Sequence, residues 1–265
     1  MSDTRPTTDV PTGPAVRYDV VDHIAWLTID RPGSRNALSR EVRDGLWDGV
    51  RRFNDDADAL VLVLTASGDR AFCAGGDLKE MANTSLEVPP PDFLPIFGRN
   101  VTVDKVTIAA VNGVAFAGGF LLAQMCDLVV AADTARFAIT EAKVGRGTPW
   151  ATPLPWLVPP RIAMELLVTG DPIDAERAHA VGLVNRVVPA DQLHDAARTL
   201  AAGIIANAPL SVRAAKRTVH LAAKELYGAL YDEADRIWEP VYTSDDAQEG
   251  PRAFREKRQP VWRGR

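Results

Sequence analysis

The chain has 265 residues, of which 46% are hydrophobic and 25% charged, values of an ordinary globular protein with ample material for a large core. A net charge of −5 disfavours a nucleic-acid partner, and two cysteines, Cys73 and Cys126, exclude a disulfide framework and a cysteine-rich metal site. Residues 1–15 are polar and proline-rich without an apolar segment, which predicts a disordered lead-in and no secretory signal; a reduced, cytoplasmic setting is expected.

His23–Asp30 is rich in β-branched and aromatic residues and stops at Arg31-Pro32-Gly33, which predicts a strand. Ser39 is placed to cap a helix over 40–53, with Leu46 and Val50 on one side. Ala59–Thr65 is an unbroken apolar run, the pattern of a strand covered on both faces. A short helix is expected over 78–81, and the prolines at 89, 90, 91 and 95 predict a loop over 84–96. Val106–Val111 reads as a buried strand leading through a glycine turn into a helix that runs to about Met125. The whole stretch Thr107–Met125 is apolar, but Asn112, Gln124 and three glycines break it, so a membrane span is not expected. Leu128–Ala132 and Arg136–Ile139 are extended, Ala163–Leu167 and Ala175–Ala180 helical, and Leu183–Val188 a last strand. From Ala190 onward helical periodicity dominates, divided at Pro209 and at Gly250-Pro251. Short buried strands alternating with helices indicate an α/β fold with a helical C-terminal region.

Two segments carry the chemistry: Ala71-Phe72-Cys73-Ala74-Gly75-Gly76-Asp77-Leu78 and Val111-Asn112-Gly113-Val114-Ala115-Phe116-Ala117-Gly118-Gly119. Each places small residues between an apolar strand and a helix. Backbone N–H groups at such a turn lack partners and can point at an anion or a developing oxyanion. Two turns of this kind can supply one donor each. No Gly-x-Ser-x-Gly element is present, so serine hydrolase chemistry has no support.

These segments, with Arg31-Pro32-Gly33-Ser34-Arg35-Asn36-Ala37-Leu38, Met125-Cys126-Asp127, Ala135-Arg136-Phe137, Leu167-Val168-Thr169-Gly170 and Gly182-Leu183-Val184, closely resemble the enoyl-CoA hydratase/isomerase (crotonase) superfamily in order and spacing. The resemblance runs from about Val16 to the C-terminus. It implies a crotonase (ClpP-like) fold of stacked β-β-α superhelical turns over 16–200, and a helical region over 201–265 used to form a homotrimer or a dimer of trimers. It implies an acyl-CoA thioester as substrate, with no cofactor beyond the CoA that the substrate brings and no metal. It places the oxyanion hole at the N–H groups of Gly76 and Gly118. It places the acyl-CoA groove along Arg35, Ala37, Ala74, Asp77, Leu78 and Lys79, and a CoA phosphate contact at Phe254 and Lys257.

Hydratases of this family hold a water between two glutamates. The second maps onto Glu141, the retained acid/base; the first maps onto Leu121, which moves no proton. A glycine that donates to the same water maps onto Pro149, which has no N–H. Trp150 is expected to narrow the pocket, and Arg146 and Thr148 could touch the acyl group. A single glutamate at this place resembles Δ3,Δ2-enoyl-CoA isomerases. Carnitinyl-CoA dehydratase-like activity and a non-catalytic acyl-CoA-binding homologue are the other readings that the resemblance leaves open.

Overall fold

The computed structural model describes residues 13–77, 80–81, 88–227 and 230–263. The predicted strand after residue 22 pairs with one the sequence pattern hid. β1 (Val16–Val21) runs antiparallel to β2 (Ile24–Ile29). Asp22 and His23 between them both have positive φ, as a tight two-residue hairpin with right-handed strand twist requires. β1 forms an edge of the sheet and is largely exposed, and Arg17 and Asp19 interrupt its apolar positions.

Ser39 caps α1 (Arg40–Asp55), its Oγ accepting from the Val42 N–H at 3.4 Å. Val42, Leu46, Val50 and Phe53 lie on one buried stripe of that helix. β3 (Val61–Ala66) is buried at every position between β2 and β5 (Val106–Val111), which accounts for its continuous apolar sequence.

After β3, β5 and β7 (Leu128–Ala132) the chain leaves a six-stranded sheet and adds a short strand to a second, four-stranded one. Those short strands are β4 (Ala71–Cys73), β6 (Val114–Phe116) and β8 (Arg136–Ala138), paired in parallel in that order. The result is a stack of superhelical turns. Asparagine amides tie one turn to the next: Asn36 donates to Ala71 O at 2.7 Å, and Asn112 donates to Ala66 O at 3.0 Å and Gly68 O at 2.6 Å. α2 (Gly118–Gln124) follows β6 and is buried along its whole length.

Beyond α3 (Leu154–Leu157), α4 (Pro160–Thr169), β9 (Ile173–Asp174) and α5 (Ala175–Ala180), the last strand is shorter than expected. β10 covers only Arg186–Val188, because Gly182 at φ +90° and the Leu183 N–H to Ala178 O bond turn Leu183 and Val184 out of the strand. α6 (Leu193–Ile205) buries Leu193, Ala197 and Ala201 against the outer face of the large sheet. Pro209 opens α7 (Pro209–Tyr227), as its fixed φ favours. Lys216 pins that helix to Asp127 at 2.8 Å, and His220 reaches the other Asp127 oxygen at 2.7 Å.

α8 (Leu230–Tyr242) and α9 (Asp245–Glu256) complete the chain. Gly250-Pro251 lies inside α9 instead of dividing it. A Cβ at residue 250 would stand 2.1 Å from Val144 O, so the glycine lets the helix press onto that carbonyl. Among the described residues no helix is long and apolar enough to cross a membrane.

Candidate active site

The two glycine turns meet. Gly75 has φ +95°, and a Cβ built on it would lie 2.7 Å from Ala117 Cβ and 3.6 Å from Gly118 N. Ala117 itself sits at φ 52°, a strained conformation for a residue with a side chain, held by its N–H bond to Ala138 O at 2.9 Å. The first turn is held by Leu38 N–H to Gly75 O (2.8 Å) and Ala74 N–H to Arg35 O (3.1 Å). Gly118 opens α2, so its N–H has no acceptor within the helix. Among the described residues neither the Gly76 nor the Gly118 N–H reaches an acceptor.

Both turns open on a cavity of about 790 Å³. Ala74, Gly76, Gly118, Leu121, Glu141, Pro149 and Trp150, all singled out from the sequence, line it together. Arg146 lines it as well, whereas Thr148 does not; its Oγ1 is buried and has no hydrogen-bond partner among the described residues. Arg35, Ala37 and Asp77 lie outside its lining, as does Phe254, which is exposed, and Lys257, which caps α9 at φ 54°. Leu78 and Lys79 lie outside the described residues.

Glu141 begins a short 3-10 turn, Glu141–Val144, closed by Gly145 at φ 66°. It is 8% exposed, and among the described residues its Oε2 has no hydrogen-bond partner. Burial disfavours the carboxylate and pushes the acid up to about 8; its own backbone N–H and the Trp150 side chain pull weakly the other way. Trp150 is packed against Phe120 at 6.1 Å, and its carbonyl accepts from Gln124 Nε2 at 3.1 Å. Leu121 is 2% exposed, and Pro149 opens the turn Pro149–Ala151 with no N–H to offer. Cys73 does not compete as a nucleophile, because complete burial pushes its thiol up to about 12.

The sequence reading missed the far wall. α8 lays Tyr231, Asp235, Glu239 and Tyr242 along the cavity. Their spacing of four, four and three residues is the signal that could have found them: one helical face carrying two tyrosines and two acids. Arg99 pairs with Asp235 at 2.5 Å and lies over the Tyr231 ring at 4.8 Å. The Arg146 guanidinium lies over the Tyr242 ring at 4.8 Å, and the Tyr242 hydroxyl donates to Gly147 O at 2.8 Å.

The chain matches the family model described as enoyl-CoA hydratase/isomerase over residues 20–265. It is 41% identical to a carnitinyl-CoA dehydratase of Citrobacter koseri over 252 residues, covering 91% of this chain and 95% of that one. A carnitinyl-CoA dehydratase of Salmonella agona is 40% identical over the same shares. Among solved structures, a carnitinyl-CoA hydratase from Mycobacterium avium superposes with a TM-score of 0.85 at 36% identity, covering 96% of this chain and all of that one. An enoyl-CoA hydratase from Mycobacterium tuberculosis H37Rv does so with a TM-score of 0.79 at 35% identity, over 87% of this chain and all of that one.

Proposed function

Because this chain belongs to the enoyl-CoA hydratase/isomerase family, whose members work on acyl-CoA thioesters, we propose that it moves a double bond along the acyl chain with Glu141 as its one base. The Glu141 carboxylate takes a proton from C2 of a 3-enoyl thioester. The electrons pass to the thioester oxygen, where the N–H groups of Gly76 and Gly118 stabilise the charge as it develops. The protonated Glu141 then returns its proton to C4, and the double bond stands between C2 and C3. No water is added or lost.

The observation that carries this reading is Leu121, buried at the position where hydratases of this family keep their first glutamate, on the same cavity as a buried Glu141 whose Oε2 has no hydrogen-bond partner among the described residues. A base that titrates near 8 is matched to taking and returning the same proton near neutral pH. The similarity to carnitinyl-CoA dehydratases favours a second reading, removal of water from a 3-hydroxyacyl thioester. Pro149 weighs against it, since the site offers no backbone donor there to the departing hydroxyl.

Incubation with a 3-enoyl-CoA and, separately, with crotonyl-CoA separates the two. An unchanged mass with the double bond shifted to C2 supports the one-base reading. A product from crotonyl-CoA heavier by one water overturns it in favour of hydration and its reverse.

A further inference from the structure

The turn that carries Glu141 rests against the C-terminal end of the chain. It closes at Gly145, whose N–H donates to Glu141 O, as does the Arg146 N–H at 2.9 Å. α9 and the residues after it press on that closure. A Cβ on Gly145 would stand 2.5 Å from Asp246 O and 3.3 Å from Trp262 Cζ3, and Gly250 packs directly on Val144 O. Val144, like Glu141, lines the cavity, so a shift of this seat is a shift of the cavity wall. On another side the turn is tied by Lys143 to Asp171 at 2.7 Å, an exposed ion pair of the kind that contributes little.

Glu249 organises the seat. It is 4% exposed, a placement that is costly for a carboxylate unless its charge is paired. It accepts from Arg252 on the same helix, from Arg258 through both oxygens at 2.6 and 3.1 Å, and from the Val261 N–H at 2.8 Å. The bidentate Arg258 fork fixes direction as well as charge. Arg258 and Val261 lie beyond α9, where Lys257 at φ 54° turns the chain back. Two residues further, the Arg263 N–H donates to Asp246 Oδ1 at 2.7 Å. Asp246 and Glu249 thus clip the tail back along α9, toward the start of the helix, and between those two clips Trp262 meets Gly145.

We propose that Glu249 is a positioning residue: by clipping the tail onto α9 it seats Trp262 against the Glu141 turn and holds that carboxyl secluded and in reach of the substrate carbons. This rests on the one-base reading above and deepens it, since one base that serves two carbons tolerates little displacement. Neither Glu249 nor Trp262 lines the cavity, so the effect on the substrate passes through the turn.

Glu249→Gln and, separately, Trp262→Ala test it in the full chain with a 3-enoyl-CoA across pH. Each is expected to lower kcat by about 10- to 100-fold, with KM within about two-fold of the wild-type value. A looser seat admits water to Glu141, so the midpoint of the kcat/KM profile falls from near 8 by about one pH unit or more. Neither substitution alters the other charged and titratable groups around the cavity, which are Arg99, Arg146 and those that α8 presents from Tyr231 to Tyr242. A residue that only stabilises the fold changes the amount of folded protein and leaves the midpoint in place.

The loss in kcat and the fall of the midpoint together support the positioning by Glu249; either without the other, or neither, overturns it. If Glu249→Gln does not fold, Trp262→Ala decides. If the wild-type protein turns over no 3-enoyl-CoA, the one-base reading is what fails. Amide hydrogen exchange over residues 141–146 then decides the seat alone: faster exchange in Trp262→Ala supports it, and an equal rate overturns it.

Discussion

Glu141 is asked for two things that oppose each other. The fold is most comfortable with it neutral, and the proton abstraction proposed for it needs it charged. Burial raises its pKa from 4.5 to about 8, so between those values the unfolded chain releases a proton that the folded chain keeps. Stability from this residue is therefore complete below about pH 4.5 and is lost as pH rises toward 8. The rate runs the other way, with kcat/KM rising through an apparent pKa near 8. Glu141→Gln cannot titrate. Its melting temperature is expected to gain on the wild-type protein steadily from pH 5 to pH 8, while kcat falls roughly 100- to 10,000-fold. Thermal scans across pH, set beside the rate profile, check both. A melting difference that does not change with pH rules out the buried, neutral state of this carboxyl.

At the scale of elements, the site depends on how closely α2 seats behind β4. A Cβ on Gly119 would stand 2.1 Å from Cys73 O, and backbone cannot swing aside. A Cβ on Gly118 would instead meet Leu38 Cδ1 at 2.4 Å, the end of a side chain that can rotate. Gly119→Ala is thus expected to cost about 3 kcal/mol or more of stability. Gly118→Ala is expected to fold with little loss and to lower kcat roughly 100-fold by displacing an oxyanion donor. Denaturant unfolding and steady-state rates distinguish them; equal stability of the two variants would show that the seat is looser than the geometry says. These glycines were legible in the sequence because their constraint is local, a tight turn at a fixed distance from a strand. The buried strands β3 and β5 were legible for a similar reason, since burial on both faces writes an unbroken apolar run. β1 was not, because an exposed edge strand places few demands on its residues. Nor was the continuation of α9 through Gly250-Pro251, which depends on a carbonyl more than a hundred residues away. The wall contributed by α8 was legible only as one face of a helix: that this face closes the chamber is set by tertiary packing, which the spacing of its residues does not record.

On the scale of the whole molecule, the C-terminal helices are incompletely covered. Leu210 and Val219 on α7 and Ile237 on α8 are 81%, 69% and 63% exposed. Apolar groups so exposed on the C-terminal helices are the material of a contact between copies. A trimer, or a dimer of trimers, is the expected assembly, and light scattering on the eluting protein checks it. A mass of one chain across the working concentration range would remove that expectation. Leu210→Glu with Ile237→Glu is expected to shift the mass toward the monomer.

The seclusion of Glu141 reaches beyond its acidity, into the fate of individual hydrogen nuclei. A carboxyl that is 8% exposed is expected to exchange slowly with the surrounding solvent while it holds a proton. If the proposed one-base reaction operates, the nucleus lifted from C2 is then expected to be largely the one set down at C4. Deuterium placed at C2 of the substrate should survive turnover in ordinary water and reappear two carbons along the chain. One group serving both carbons must also approach them from the same side, so the transfer is suprafacial, and the new C4 centre records in its handedness which wall of the chamber the carboxyl occupies.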